Sequence, residues 1–179
     1  MKKYMQITIS LILLTSLAAC APKINQNPPH NADDLTEPTP YAVYENFSLY
    51  FVDSEYARIV KEEHELRISE NTNREKLILD GLKIGPKSNQ LTSPLSPSAG
   101  IHSIKIVSGL CTIDVSEDFL NITDETIKSA NLMLHAIVQS LCELDTIQQV
   151  KFNIDGNTTA KINNEIDLSQ PISPNPAGI

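Results

Sequence analysis

Large apolar side chains occupy two separated stretches of this 179-residue chain, and the polar gap between them bounds what can fold. The first stretch runs from Ile7 to Leu17 and the second from about Glu45 to Leu168. Between them, Ala21 to Tyr44 is Pro, Asn, Asp, Thr and Glu with few large apolar residues, too polar to offset the entropy of ordering it. Residues 169–179, with Pro171, Pro174 and Pro176, repeat that composition and are expected to lack order. One domain, 45–168, is therefore predicted, since a second independent core does not fit the length.

The amino-terminal stretch has a different role. Lys2 and Lys3 precede it, and it ends in Leu17-Ala18-Ala19-Cys20. An apolar segment this short does not span a bilayer, which takes roughly twenty residues. The layout is that of a secretory signal, residues 1–19, ending in a lipobox. Small residues suit the signal peptidase, and the Cys20 thiol takes a diacylglyceryl group. Two acyl chains hold far more firmly than one, so the mature chain is expected to sit outside the cytoplasmic membrane on a lipid anchor. Residues 20–44 then form a tether, whose length gives a mean reach of about 25 to 30 Å.

Charge narrows the range of partners. Without Lys2 and Lys3 the mature chain carries a formal charge of about −10, spread along its length. Such a surface repels phosphate backbones, which argues against nucleic acid. Once Cys20 is lipidated, Cys111 and Cys142 remain. Both fall in apolar patterns and are predicted to be core thiols, with a disulfide as the alternative open to an exported protein.

Periodicity sketches the elements. Phe47, Leu49 and Phe51 alternate with Ser48 and Tyr50 as a strand with one buried face. Two short strands, 57–60 and 65–68, are expected on either side of a charged turn at Lys61-Glu62-Glu63. Asn73 reads as a helix cap and Gly85-Pro86 as a stop. Residues 88–100 read as a loop. Strands 102–107 and 110–115 flank the hairpin turn Ser108-Gly109, and Cys111, Ile113 and Val115 share a core face. A long helix is expected from Thr123-Asp124-Glu125 to Cys142. Val150, Phe152 and Ile154 form a last strand ending in Asp155-Gly156-Asn157, with Lys161 and Ile162 returning beside it. The sum is an α+β fold: a small mixed, largely antiparallel sheet with two helices packed on one face.

These pieces in this order resemble the GerMN, or germane, domain of bacterial sporulation and germination proteins and related envelope lipoproteins. The likeness rests on Leu49-Tyr50-Phe51, Gly81-Leu82 with Gly85-Pro86, Pro97 with Gly100, Ile113-Asp114-Val115-Ser116 with Phe119, and Val150-Lys151-Phe152 with Ile154-Asp155-Gly156. The resemblance implies a non-catalytic module outside the membrane that joins an envelope or sporulation assembly. It brings no established catalytic residues or cofactor. One such domain is present here, where the well-known germination member has a tandem pair.

Candidate chemistry is sparse. Asp114, Ser116, Glu117 and Asp118 cluster after a strand, where carboxylates could serve as acid and base or hold calcium. The same spacing also makes a side-chain-capped turn, the reading favoured here. His64 lies among glutamates and reads as a solvated face, and neither His102 nor His135 has a motif partner. No metal site, nucleotide cradle or nucleophile elbow is visible. The expected function is protein–protein interaction through an exposed sheet edge or helix face, with Tyr50, Tyr56 and the 88–100 loop as candidate contact elements. Its envelope protein partner is reached from the membrane-anchored end. Binding to peptidoglycan or another small or polymeric ligand is the alternative, weakened by the absence of Trp. A hydrolase built on Asp114 and Asp118 is a third reading.

Overall fold

Alternation sets the first sheet. A computed structural model of the chain describes residues 42–123, 129–162 and 166–174. Strand β1 (Val43–Asp53) buries Phe47, Leu49 and Phe51 on one face. Strand β2 (Ile59–Ile68) pairs with it antiparallel and in unbroken register, from Val43 opposite Ile68 to Val52 opposite Ile59. The two short strands expected around Lys61-Glu62-Glu63 are thus one strand. The charges there alternate between faces: Lys61, Glu63, Glu65 and Arg67 are exposed, while Val60, Glu62, His64 and Leu66 turn inward. A charged run is compatible with a strand when only every second residue must be dry.

Helix α1 (Arg74–Ile84) starts and stops where its ends are chemically satisfied. The Asn73 side chain accepts from the Lys76 N–H at 2.6 Å, and Gly85, at φ 101°, donates its N–H to the Gly81 carbonyl. Ile78, Leu79 and Leu82 face the core. Gly81 permits a close approach to β1, since a Cβ at that position would lie 2.8 Å from Leu49 Cδ1. The 88–100 segment is a loop apart from β3 (Leu91–Thr92), which pairs with the end of β1 and completes a sheet of order β2-β1-β3.

The next three strands form a second three-stranded sheet, so the expected α+β architecture is built chiefly on two three-stranded sheets. Strands β4 (Ile101–Val107) and β5 (Leu110–Val115) make the predicted hairpin, with Ser108 and Gly109 both at positive φ. His102 is the extra residue of a bulge in β4, where the register shifts between Ile101 and Ser103. Strand β6 (Gln149–Ile154) lies on the other side of β5 and runs parallel to it. Cys111, Ile113, Val115, Val150 and Phe152 supply the buried face, and Phe119 stacks on Phe152 with ring centroids 5.6 Å apart.

Parallel pairing requires a crossover, and helix α2 (Ala130–Cys142) lies within it. Leu132, Met133, Leu134, Ala136, Ile137, Val138, Ser140 and Leu141 are all buried, as befits a helix apolar on nearly every side. It packs against β1, α1 and β6. The expected start at Thr123-Asp124-Glu125 falls partly outside the described residues. Residues 1–41, with the expected signal segment, Cys20 and most of the expected tether, lie wholly outside them.

Two further readings are corrected. Lys161 and Ile162 do not return beside β6: they form β7 (Lys161–Ile162), paired with β8 (Ile166–Asp167). The 169–179 segment is not wholly unordered, because Ile172 exchanges both backbone hydrogen bonds with Val150, at 2.7 and 2.9 Å, and so caps the outer edge of β6.

One side chain joins α2 to the first sheet. Ser140 Oγ accepts the Tyr50 N–H at 2.8 Å and donates to the Ala136 carbonyl at 2.9 Å. Replacing Ser140 with Ala leaves a strand N–H in the core without an acceptor. Ser140→Ala is therefore expected to destabilise the domain by about 1–3 kcal/mol, read as a lower urea midpoint with unchanged slope.

Candidate functional site

The Asp114–Asp118 cluster resolves into two structural knots. Asp118 accepts from Ser116 Oγ at 2.6 Å and from Ser98 Oγ at 2.8 Å, and Ser116 Oγ also accepts the Gly100 N–H at 2.8 Å. Backbone bonds Ser116 N–H to Gly100 O and Ser96 N–H to Phe119 O close the same knot. These hydroxyl donors hold the Asp118 carboxyl below its ordinary range. Asp114 instead accepts the Gly156 N–H at 2.8 Å and fixes the Asp155-Gly156 turn, both residues of which have positive φ. The two carboxylates thus hold separate turns, and the acid/base pair weighed from sequence does not assemble. Among the described residues no group of three or more His, Cys, Asp or Glu is placed to hold a metal.

The histidines divide by environment. His64 is buried at 7% exposure, not on a solvated face: its ring lies against Phe51 and its Nε2 is 3.0 Å from Glu62. Glu62 also accepts the N–H groups of Lys87 and Ser88, and this pinning of the turn after α1 explains why a charged-looking run contains an inward face. His102 meets Asp155 at 3.0 Å on the surface. His135 has a buried Nδ1 with no partner among the described residues, and burial lowers its pKa.

The two tyrosines named as contact elements do different work. Tyr50 is committed internally: its hydroxyl donates to Glu143 at 2.5 Å, and burial followed by that bond pushes its pKa up. Tyr56 sits at φ 54° in the β1–β2 turn, partly packed on the core, with its N–H on the Asp53 carbonyl. Cys111 and Cys142 are free thiols, pushed by burial up to about 12 and about 11. Thiolate is scarce at neutral pH for both, so they behave as core atoms.

What remains open to a partner is backbone. A sheet edge with unpaired N–H and C=O groups invites another strand, and proteins blunt such edges with charge, bulges or covers. The free edge of β2 bears Lys61, Glu63, Glu65 and Arg67, and Lys87 Nζ sits on the Glu63 carbonyl at 2.7 Å. The β4 edge is bent by its bulge, and the β6 edge is capped at Val150 by Ile172. Beside β1 the cover is partial. Ser140 and β3 occupy its second edge from Tyr50 onward, whereas Tyr44, Asn46 and Ser48 have backbone groups with no partner among the described residues. A groove walled by Ile78, Glu143 and Leu144 runs alongside. Val43 and Tyr44, 55% and 54% exposed, add apolar surface at the same end. Sequence reasoning named Tyr50, Tyr56 and a sheet edge in general terms but not which strand supplies it, because edge status depends on which strands pair far along the chain.

Asp118→Asn tests the structural reading of the cluster. The folded-state pKa is depressed, so the stabilisation is present above the unfolded value near 4 and is lost as pH falls through the folded one. The variant is expected to melt below wild type at pH 7, with the gap closing toward pH 3.

Comparison with known proteins agrees with this architecture. The chain matches the Germane family, described as sporulation and spore germination, over residues 48–160. Among solved structures, the first GerMN domain of the sporulation protein GerM from Bacillus subtilis superposes with a TM-score of 0.53 at 20% identity, covering 72% of this chain and 94% of that one. The tandem GerMN domains of the same protein give 0.53 at 22% identity, with 64% of this chain covered and only 40% of the tandem chain. A Clostridium perfringens protein whose name suggests a lipoprotein gives 0.50 at 16% identity, covering 73% and 87%. No curated protein sequence matches the chain. At these identities the likeness is one of fold, while the match over 48–160 covers more than half of the sequence. The chain belongs to the Germane (GerMN) family of sporulation and spore germination.

Proposed function

We propose that this protein is a lipid-anchored, non-catalytic interaction module on the outer side of the cytoplasmic membrane, serving an envelope assembly of sporulation or germination. Family membership is the observation that carries this reading. The Leu17-Ala18-Ala19-Cys20 sequence supports the anchor, with Cys20 as the lipidated residue and 21–44 as the tether. The polar clusters support a contact role: each candidate catalytic carboxylate is occupied in holding a turn, and the accessible features are sheet edges. Function by contact needs a positioned surface, which the anchor restricts to a layer above the bilayer and the domain makes specific.

Cys20→Ser is expected to move the protein from the membrane fraction to the aqueous phase of a detergent partition, and mass spectrometry of the wild-type amino terminus should find a diacylglyceryl cysteine. Crosslinking in sporulating cells followed by capture should recover an envelope protein. Recovery of wall glycan alone, with retention on purified sacculi, would replace the protein-interaction reading with the glycan-binding one.

A further inference from the structure

We propose that two copies of this protein pair antiparallel through the edge of β1 that no described residue covers, with Asn46 at the twofold axis. This deepens the interaction reading above by assigning it a surface and an occupant.

Hydrogen-bond parity carries the first step. Asp53 donates its N–H to Arg58, so odd-numbered residues of β1 turn their backbone groups toward β2. Tyr50 and Ser54 donate to Ser140 and Gln90, so even-numbered residues turn theirs to the opposite side. The backbone groups of Tyr44, Asn46 and Ser48 therefore point into the groove beside Ile78, Glu143 and Leu144. None of these three side chains is charged, and no proline or bulge interrupts the segment, unlike the charged edge of β2.

The register is then set by what ends the edge. Pairing about Asn46 puts Tyr44 opposite the partner's Ser48, and it puts Ala42 opposite Tyr50, where α2 begins to cover the strand. The smallest side chain of the segment thus meets the obstruction. On the other face Glu45 comes opposite the partner's Phe47. In each copy Glu45 is ion-paired with Arg74, whose guanidinium lies 5.8 Å from the Phe47 ring centre. The acidic side chain of one copy accordingly faces the cationic and aromatic pair of the other, and the two Glu45 side chains meet only on the diagonal, each neutralised by its own Arg74. Outward-facing Tyr44 and Val43 lose water on pairing. A contact of so few residues is weak in solution and is strengthened when both copies are confined to one bilayer.

Sedimentation velocity of the purified mature chain in detergent, across a concentration series, tests this directly. A concentration-dependent dimer is expected, weakened at least tenfold by Asn46→Pro and by Asn46→Lys. Asn46 gives no backbone bond to β2, so Pro there removes no bond within the fold, and circular dichroism checks that both variants remain folded. On vesicles, Asn46→Cys should form a disulfide-linked dimer under mild oxidation. A wild-type chain that stays monomeric in detergent and whose Asn46→Cys variant does not crosslink on vesicles overturns the proposal, as does a dimer indifferent to both Asn46→Pro and Asn46→Lys. Capture of an envelope protein by the Asn46→Pro variant would leave the general interaction reading standing while removing any need for this edge in it.

Discussion

The contact between Ser140 and the backbone of Tyr50 is the joint on which the arrangement depends. A strand that is paired along one edge and half paired along the other cannot be buried at its centre unless something answers its N–H groups. Here the answer is a helix. Ser140 lies on a face of α2 that it shares with buried Met133, Ala136 and Ile137, and its hydroxyl serves two backbone groups at once. This lets α2 lie against β1 as a third strand otherwise would, and the same helix then packs on β6. Glu143 extends the joint to the surface by taking the Tyr50 hydroxyl.

Much of the local structure was legible from residues acting on near neighbours. Asn73 and Gly85 bound α1 because their conformational preferences operate within one turn. Ser108-Gly109 turns the hairpin because both positions need positive φ, and Cys111, Ile113 and Val115 alternate visibly. Two readings failed because a charged residue reports its own preference and not its partner's. Glu62 and His64 look solvated in sequence, yet they satisfy each other and the turn after α1. The division into separate sheets and the parallel pairing of β5 with β6 depend on contacts far apart in the chain, which no local period encodes. Ile172 was hidden for the same reason: in a run of Pro and Ser nothing nearby marks it as a pairing residue, and only the open edge at Val150 gives it a role.

The candidate site was legible in a negative sense. The Asp-x-Ser-x-x-Phe pattern suggested a capped turn, and the serine and aspartate hydroxyl and carboxylate contacts are those of a turn. The partner serine, Ser98, lies in the Pro-rich loop and carried no signal of its own. Of the two tyrosines singled out as contacts, Tyr50 gives its hydroxyl to Glu143 and Tyr56 packs partly on the core, whereas the unpaired feature beside them is main chain, which side-chain patterns do not display.

The parallel placement of β6 has a consequence for how this chain acquires its structure. Strands β4 and β5 are neighbours through a two-residue turn, so that hairpin closes a short loop and can form within microseconds. Strand β6 cannot join until everything between Val115 and Gln149 has been synthesised and the crossover has closed. Until then the hairpin holds Cys111, Ile113 and Val115 on a core face that nothing from β6 yet covers. Val150 and Phe152 complete that surface only once the crossover has closed, and Ile172 then clasps the outer edge of β6, so the second sheet is finished by residues far along the chain from the hairpin that begins it.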